Sequence, residues 1–345
     1  MKKLLIIGGG FAGAHIAKKL ERKFDITLID TKDYFEYTPG ILRTITEPMH
    51  LKKIKAMHKD YLKKTKILIA NVKEINEKYV KVNNKKLQYD YLAICSGSNY
   101  NLPIKEQNVV IATRAKHLRE HYNKLSKANN VLIIGGGLVG VELAAEICTK
   151  YNKNIALVHS GSHLTLRNNS KTIGYIENFL QKNKVKLVLN EIIKKKKGKF
   201  YITETGKKIK ADIAFLSTGI KPNSEFMKKY FKEALNKNNQ IKVNKYLQIP
   251  KQKNIFAVGD VNSINEEKTA QNAERQAAIV AKNLLALESR KELIKYKSKK
   301  NIMVISLGKY NGILEYKDLI IVGKIPALMK WLIEKWTMLK YGKLF

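Results

Sequence analysis

The sequence predicts an α/β fold in which two nested domains, each built on a strand–turn–helix unit, precede a small C-terminal α+β cap. The chain has 345 residues, which is too long for one ordinary hydrophobic core and fits two or three domains. Its main organisational feature is an internal repeat, because residues 3–17 read KLLIIGGGFAGAHIA and residues 130–144 read NVLIIGGGLVGVELA. Each copy has an apolar strand, a glycine turn and an Ala-rich helix, so the repeat indicates two βαβ units.

The first copy has the order expected of a dinucleotide-binding site. Gly8, Gly10 and Gly13 form GxGxxG, and the next strand, FDITLID, ends on Asp30. The first glycine permits a tight turn, the second lets a pyrophosphate approach the backbone, and the third lets the helix pack on the strand. The helix N-terminus faces the phosphates, and a carboxylate at the strand end accepts hydrogen bonds from an adenosine ribose. This order predicts a Rossmann-like site rather than a purely structural glycine turn.

The second copy has the same glycines but a different strand end. Its turn contains Gly135, Gly137 and Gly140. The next strand, NIALVHS, ends on His159 and Ser160, and a carboxylate that would accept the ribose 2'-hydroxyl of NAD is not evident there. His159, Ser160 and Arg167 could accommodate the 2'-phosphate of NADP, whereas a backbone group or a later residue could equally serve the ribose. The choice between NADH and NADPH therefore stays open.

Four further segments follow in a specific order. YDYLAICSGS contains Gly97, ADIAFLSTGIKPNSEF contains Gly219 and Pro222, NIFAVGDV contains Asp260, and TAQNAERQAAIVAKNL has a helical pattern. With two fingerprints about 127 residues apart, this order resembles the flavoproteins that have two dinucleotide-binding domains. The resemblance implies FAD in the first domain, NADH or NADPH as substrate in the second, and Asp260 on the ribityl chain and pyrophosphate of FAD. It also implies that the helix runs beneath the isoalloxazine.

The predicted layout is nested. The FAD-binding domain comprises residues 1–105 and 240–290, the NAD(P)-binding domain comprises residues 106–239, and the cap comprises residues 291–345. Within the second domain, the lysine run at 194–197 is followed by Gly198 and predicts a solvated hairpin turn.

The cysteine content limits the chemistry. Cys95 and Cys148 lie 53 residues apart with no CxxC pair, which argues against a structural zinc site, a disulfide framework or a redox dithiol. We therefore expect no metal site and no disulfide chemistry, with a reducing cytoplasm as the default compartment. Sulfide:quinone oxidoreductases need at least two cysteines at the flavin. Here Cys95 falls in a predicted buried strand and Cys148 in a helix, where free cysteine usually behaves as a small hydrophobe.

Among flavoproteins, the chain then resembles type II NADH:quinone oxidoreductases and the ferroptosis-suppressor and apoptosis-inducing-factor homologues. The segments that carry this resemblance are DYFEYTPGILRTITEP, in which Arg43 would contact FAD, and GVELAAEI, in which Glu142 would lie beside the nicotinamide and the flavin. The resemblance implies hydride transfer from NAD(P)H to FAD, with no catalytic nucleophile.

Two residues receive catalytic roles from this resemblance. Glu142 would orient the nicotinamide carboxamide or relay a proton, although the helix dipole alone also favours a carboxylate at a helix start. Gln271, near the polar edge of the flavin, would help to stabilise the reduced form. The implied FAD contacts are Gly8, Gly9, Gly10, Phe11, Ala12, Gly13, Asp30, Arg43, Val72, Gly97, Asp260 and Gln271. The implied NAD(P) contacts are Gly135, Gly137, Gly140, Glu142, His159, Gly219 and Pro222.

The electron acceptor is less well defined than the donor. Type II dehydrogenases have AQxxxQ below the flavin, with the second glutamine lining the quinone pocket. This chain has Gln271 but Arg275 at the second position, with Gln276 beside it, so either Gln276 substitutes or the site takes another acceptor. A quinone reductase is the favoured function. The alternatives are a soluble NAD(P)H oxidase, a reductase of an acidic electron-transfer protein, and a slow flavin/NAD redox sensor.

Residues 325–345 predict an amphipathic helix. Lys330, Glu334 and Thr337 lie opposite its apolar stripe, and the stripe contains Ile325, Leu328, Met329, Leu332, Ile333, Trp336 and Leu339. Lysines and two tryptophans beside such a stripe suit a helix that lies in the membrane interface. We therefore expect a cytoplasmic protein held peripherally on the inner face of the cell membrane. A homodimer contact, or packing against the FAD domain, is the alternative.

The formal net charge is +37, and 59 of the 66 basic residues are lysine. Such a charge could attract nucleic acid, anionic lipid or an acidic protein. The lysines are spread along the whole chain and accompanied by much Asn and Ile, which is typical of a compositionally biased genome. Since no nucleic-acid module is recognised, we expect no nucleic-acid partner.

Overall fold

A computed structural model describes residues 1–99 and 121–343 of the chain. The predicted domain boundary between residues 105 and 106 lies outside the described residues, as do residues 344 and 345.

The strands, in chain order, are β1 Lys3–Ile7, β2 Asp25–Asp30, β3 Tyr34–Glu36, β4 Lys55–Met57, β5 Lys66–Ile69, β6 Val72–Ile75, β7 Tyr79–Val82, β8 Lys85–Gln88, β9 Tyr91–Ile94, β10 Ser98–Asn99, β11 Asn130–Ile134, β12 Asn154–Val158, β13 Val185–Val188, β14 Ile193–Lys197, β15 Phe200–Thr203, β16 Lys208–Lys210, β17 Ile213–Leu216, β18 Lys221–Pro222, β19 Ile255–Ala257, β20 Met303–Ser306, β21 Gly312–Tyr316 and β22 Leu319–Gly323.

The helices separate these strands. They are α1 Phe11–Leu20, α2 His50–Lys53, α3 His58–Tyr61, α4 with its described residues 121–127, α5 Leu138–Lys150, α6 Ser170–Lys182, α7 Ala270–Glu288 and α8 Lys324–Lys340. The 3₁₀ helices are Thr38–Ile45, Glu225–Met227, Lys232–Ala234 and Gly259–Val261. No helix in the described ranges is long and apolar enough to cross a bilayer.

The first fingerprint lies at the end of β1 in a five-stranded parallel sheet with the order β19-β9-β1-β2-β5. β1 and β2 pair in parallel from Lys3 opposite Asp25 to Ile7 opposite Ile29. β1 is almost continuously apolar because both faces of this sheet are covered. Leu4 and Ile6 belong to a core that includes α1 and α7, whereas Leu5 and Ile7 belong to a second core that includes residues of the antiparallel sheet β6-β7-β8.

The second fingerprint occupies the same position in a second parallel sheet, whose order is β13-β12-β11-β17. β11 pairs in parallel with β12 and β17 and is therefore the counterpart of β1, with α5 as the counterpart of α1. β19, which follows this second unit in the chain, joins the first sheet beside β9. The predicted fold class, with two nested Rossmann-like units, is confirmed.

Short antiparallel pairings connect and extend these units. β10 pairs with β18, so that Ser98 lies opposite Pro222 and the two exits from the parallel sheets meet. The lysine run forms β14 and pairs with β15 across a turn at Gly198, whose φ is 60°. A hairpin is present as predicted, but the lysines form its first strand, and the turn lies at Gly198 because the glycine adopts the positive φ.

The cap contains the antiparallel sheet β20-β21-β22 and α8, which packs against it. The predicted C-terminal helix is present, although it begins at Lys324 and ends at Lys340. Its polar side faces the protein, since Glu334 and Thr337 are 8% and 7% exposed. Its apolar stripe faces outwards, with Ile325 and Trp336 63% and 69% exposed. The stripe therefore does not pack against the FAD domain, which was one of the alternatives for this helix.

Candidate functional site

A single large cavity joins the two fingerprints and the cap. Its volume is about 1760 Å³, and its wall includes residues from the first parallel sheet, from the loops that follow strands of the second, from the N-terminus of α7 and from α8. The predicted site residues in this wall are Gly8, Gly9, Gly10, Phe11, Ala12, Asp30, Val72, Gly97, Gly137, Glu142, His159, Gly219, Asp260 and Gln271. The predicted residues outside this wall are Gly13, Arg43, Gly135, Gly140 and Pro222.

The glycines of the first fingerprint divide into two structural roles. Gly8 has φ +97°, and a Cβ there would stand 2.3 Å from the Cys95 carbonyl oxygen. A Cβ on Gly13 would stand 1.8 Å from the Gly8 carbonyl oxygen, so this glycine permits the close packing of α1 on β1. Gly10 has open space where a Cβ would stand. That space, at the N-terminus of a ten-residue helix, fits a dinucleotide pyrophosphate.

Asp30 is held in place beside the same turn. Its Oδ2 accepts a hydrogen bond from the Gly9 N–H at 2.7 Å, and the His58 Nε2 lies 3.4 Å from that oxygen. Burial raises the pKa of the Asp30 carboxyl, but the nearby His58 ring, the charge of Lys32 and the Gly9 N–H lower it by a larger amount. The net pKa lies below the usual value, so the carboxylate is ionised and can accept hydrogen bonds from a ribose.

The second fingerprint repeats this division of roles. Gly135 has φ +112°, and a Cβ on Gly140 would stand 1.9 Å from the Gly135 carbonyl oxygen. Gly137 has open space at its Cβ position and lies at the N-terminus of the thirteen-residue helix α5. This turn therefore fits a second dinucleotide. At the adjacent strand end, the Gly136 N–H donates to His159 Nδ1 at 3.3 Å, and burial lowers the pKa of His159.

Glu142 is tied to the cap, which was not predicted from the sequence. Its Oε1 accepts a hydrogen bond from the Ser306 N–H at 2.8 Å and from Lys330 Nζ at 2.6 Å. Its side chain and that of Lys330 are 15% and 18% exposed. Glu142 is therefore a largely buried, ion-paired carboxylate in the cavity wall. The helix dipole at the start of α5 alone does not account for its position. The sequence placed Lys330 on the polar side of the helix but gave it no role.

The N-terminus of α7 brings Gln271 into the cavity but turns Gln276 away. Gln271 Nε2 donates to the Ile302 carbonyl at 3.4 Å. Gln276 is 1% exposed, and its Oε1 accepts from the Gly259 N–H and from Asn262 Nδ2, both at 2.7 Å. It therefore holds the loop that carries Asp260. The structure does not favour the hypothesis that Gln276 lines an acceptor pocket, since it lies outside the cavity wall.

Arg43 lies between the two parts of the molecule. Its Nη2 and Nε lie 3.0 and 3.2 Å from Glu146 Oε1 of α5. Together they line a second cavity of about 350 Å³ between the 3₁₀ helix Thr38–Ile45, α5 and α8. The geometry gives Arg43 a role in fixing α5 against the first domain, and its contact with FAD stays a prediction.

The two cysteines are not reactive in this environment. Burial raises the pKa of the Cys95 thiol well above its usual value. Burial, with a smaller contribution from Glu146, raises the pKa of Cys148 to about 12. Neither sulfur is therefore a thiolate at neutral pH. In the part of the chain that the structure describes, no group of three or more His, Cys, Asp or Glu side chains could hold a metal ion.

Comparison with known proteins identifies the family. Residues 2–277 match the pyridine nucleotide-disulphide oxidoreductase family. The chain is 33% identical over 359 residues to apoptosis-inducing factor homolog B of Dictyostelium discoideum, covering 95% of this chain and 93% of that protein. It is 29% identical over 331 residues to ferroptosis suppressor protein 1 of Xenopus tropicalis, covering 91% and 88%.

Solved structures share the fold at low identity. The sulfide:quinone oxidoreductase of Aquifex aeolicus gives a TM-score of 0.83 at 20% identity, covering 99% of this chain and 91% of that one. NDH2 of Plasmodium falciparum in complex with NADH gives 0.84 at 16% identity, covering 99% and 96%.

Proposed function

Because this chain belongs to the pyridine nucleotide-disulphide oxidoreductase family and is an FAD-dependent NAD(P)H oxidoreductase, we propose that it reduces a quinone at a membrane surface with electrons from NAD(P)H. FAD, when bound, supplies the chemistry that accepts a hydride from the nicotinamide and passes electrons on. The protein supplies binding sites, orientation and electrostatics.

In the first domain, the residues act mainly as binding groups. The open space at Gly10 and the N-terminus of α1 receive the pyrophosphate of FAD, and the ionised Asp30 accepts from its adenosine ribose. Asp260 lies in the same wall, where Ser98 Oγ donates to its Oδ2 at 2.8 Å. We assign Asp260 to the ribityl and pyrophosphate end of FAD. Gln271 is assigned to the polar edge of the flavin.

In the second domain, Gly137 and the N-terminus of α5 receive the pyrophosphate of NAD(P)H. Glu142 lies one helical turn further along α5 and orients the nicotinamide carboxamide. Lys330 and the Ser306 N–H hold its carboxylate in one position, so the carboxylate does not need to reorganise when the nicotinamide arrives. His159, Ser160 and Arg167 leave room for a 2'-phosphate, and we propose that both NADH and NADPH are accepted.

The acceptor proposal rests on the position of α8, which contributes both to the wall of the large cavity and to the exposed apolar surface. Ile333, Trp336 and Thr337 of this helix contribute to the wall of the large cavity, and Ile333 and Trp336 are also 37% and 69% exposed. An apolar acceptor can therefore enter the cavity from the same side on which the helix exposes its stripe. A neighbour in fold, the Aquifex aeolicus enzyme, is by name a quinone oxidoreductase.

The exposed stripe supports peripheral contact with the inner face of the cell membrane. The large apolar residues of α8 that are at least 37% exposed are Ile325, Leu328, Trp331, Leu332, Ile333, Trp336 and Leu339. The opposite side of the helix is fixed to the protein by ion pairs of Lys330 with Glu142 and of Lys340 with Glu274, and Glu334 Oε2 lies 3.3 Å from His50 Nε2. A contiguous apolar face beside lysines suits an interfacial helix. The alternative partner for this apolar face is a second copy of the chain.

Anaerobic stopped-flow kinetics test the proposed reaction. The FAD-loaded protein is mixed with NADH or NADPH, and a quinone analogue is added in a second step. Rapid bleaching of the flavin followed by rapid reoxidation by the quinone is expected. Rapid bleaching without reoxidation by the quinone would refute the acceptor. In separate runs with dioxygen or an acidic electron-transfer protein in place of the quinone, rapid reoxidation would support those alternatives. Slow bleaching with a persistent long-wavelength band would indicate a redox sensor.

A further inference from the structure

Thr165 has a backbone conformation that is unfavourable for its side chain. Its φ is 45°, and it is the only β-branched residue among the non-glycine residues with positive φ in the described ranges. A left-handed conformation is tolerated by Gly and, to a lesser extent, by Asn, whereas in a β-branched residue it is a genuine outlier. Such outliers persist where the surroundings hold them, and they concentrate at ligand sites.

Two backbone hydrogen bonds hold Thr165 in this conformation. Its N–H donates to the Gly136 carbonyl oxygen at 2.9 Å, and its own carbonyl accepts from the Asn168 N–H at 2.9 Å. The loop between β12 and α6 is therefore attached directly to the second fingerprint. The next residue of that fingerprint is Gly137, which faces the open space at the N-terminus of α5. Thr165 thus lies against the turn that receives the diphosphate.

The Thr165 hydroxyl has no hydrogen-bond partner among the described residues, although the residue is only 6% exposed. A buried hydroxyl without a partner is unfavourable and rare in folded proteins. The residue also belongs to the wall of the large cavity. Rotation about its Cα–Cβ bond would turn the hydroxyl towards a ligand, and no existing hydrogen bond would be broken.

Ser217 has the same property on the other side of the turn. Its Oγ is buried without a partner among the described residues, and the residue lines the cavity. Its carbonyl group lies 2.8 Å from where a Gly135 Cβ would stand, as the Cys95 carbonyl lies against Gly8 in the first repeat. The two positions are equivalent in the repeats, and only the second has a hydroxyl. Two unpartnered hydroxyls therefore flank the second fingerprint.

We propose that Thr165 is a binding residue for NAD(P)H and that its hydroxyl donates a hydrogen bond to an oxygen of the diphosphate, with the Ser217 hydroxyl as a second donor. The proposed role of Thr165 depends on one part of the proposed function, namely that the second fingerprint binds NAD(P)H. The N-terminus of α5 attracts an anion, and the two hydroxyls supply donors beside the backbone N–H groups. The hydrogen bond to the bound diphosphate then satisfies the hydroxyl and offsets the unfavourable backbone conformation of Thr165.

This role differs from that of His159. His159 lies at the end of β12, next to the ribose that distinguishes NADPH from NADH, whereas Thr165 is bonded to the turn next to the diphosphate that both share. Loss of the Thr165 hydroxyl should therefore weaken the binding of NADH, NADPH and ADP-ribose by the same factor. The selectivity between the two cofactors should not change.

The test is isothermal titration of ADP-ribose into the FAD-loaded full chain. Thr165→Val keeps the side-chain shape and removes the hydroxyl. We expect its Kd to rise about tenfold, since a hydrogen bond to a charged group contributes about 1.5 kcal/mol or more and ~1.4 kcal/mol is tenfold. Thr165→Ser should stay within about threefold of the parent Kd, because it keeps the hydroxyl that makes this hydrogen bond.

A matched control is Thr172→Val. Thr172 is fully buried on α6, its hydroxyl also lacks a partner among the described residues, and it lies outside the cavity wall. Its Kd for ADP-ribose should be that of the parent. The thermal midpoint of Thr165→Val should be unchanged or higher, because a buried unpartnered hydroxyl is removed, whereas a structural role would lower it.

An unchanged Kd for Thr165→Val, or equal weakening in Thr172→Val, would overturn the proposal. This titration does not depend on the acceptor. A parent protein that binds ADP-ribose but reduces no quinone would refute the proposed function and leave the role of Thr165 intact.

Discussion

Replacement of Trp336 by alanine should weaken vesicle binding more than any other single change on α8. Trp336 is 69% exposed, the highest fraction among the large apolar residues of α8, and is one of the two tryptophans of this helix. The helix itself should persist, because its opposite side keeps the ion pairs of Lys330 and Lys340 with the protein. The substitution therefore removes apolar contact area and leaves the position of α8 unchanged.

The expected magnitude follows from the exposed area. A tryptophan side chain can bury up to ~250 Å², so a 69% exposed one offers about 170 Å² to a lipid surface. At ~25 cal/mol per Å² this corresponds to about 4 kcal/mol for complete burial. An interfacial helix is only partly immersed, and about half of that value, ~2 kcal/mol, is a reasonable expectation. It corresponds to a partition coefficient lower by about 30-fold.

Flotation with vesicles that contain anionic lipid, at physiological salt, measures this partition coefficient. Phe200→Ala is the matched control, since Phe200 is an aromatic residue that is 44% exposed on β15, far along the chain from the cap. It should bind vesicles as the parent does. Equal binding by the Trp336 and Phe200 variants would refute a membrane role for the stripe, and a change from dimer to monomer in the Trp336 variant alone would assign the stripe to self-association.

Three further predictions concern the interior. Arg43→Met should lower the free energy of unfolding by about 3 kcal/mol, because it leaves Glu146 buried and unpaired, and Arg43→Met with Glu146→Leu should recover most of that loss; urea unfolding of the FAD-loaded protein measures both. Gly13→Ala and Gly10→Ala should both reduce FAD binding, but only Gly13→Ala should lower the thermal midpoint of the apoprotein, since its Cβ would meet the Gly8 carbonyl at 1.8 Å. His159→Asp should lower kcat/KM for NADPH relative to NADH about tenfold, because a carboxylate repels the 2'-phosphate; an unchanged ratio would show that this position does not contact the ribose.

The fold was predictable because its signals are local. Each fingerprint is a strand, a turn and the first turns of a helix within fifteen residues, and the glycine spacing is fixed by contacts inside that unit, such as Gly13 against Gly8. Strand-end residues follow from the same units, which is why Asp30 and His159, identified at strand ends in the sequence, both lie in the cavity wall. The domain boundaries and the individual contacts with FAD and NAD(P)H stay predictions.

The partners of the site residues were not predictable, since they come from distant parts of the chain. Arg43 and Glu146 are 103 residues apart, and Glu142 and Lys330 are 188 apart. A resemblance placed Arg43 and Glu142 near cofactors but carried no information about what holds them. The role of Thr165 was not predicted for another reason. A positive φ at a threonine cannot be recognised from the sequence.

The orientation of α8 joins the two halves of the proposed function. Its periodicity predicted an apolar and a polar face, and the usual expectation is that the apolar face packs inwards. Here the polar face packs inwards because it finds buried partners of opposite charge, including Glu142 in the cavity wall. In the proposed function, the helix would dock on lipid through one face and hold the Glu142 carboxylate in position through the other. Removal of the helix would disturb both, so only substitutions on the outer face and outside the cavity wall, such as Leu332→Ala, can separate membrane binding from turnover.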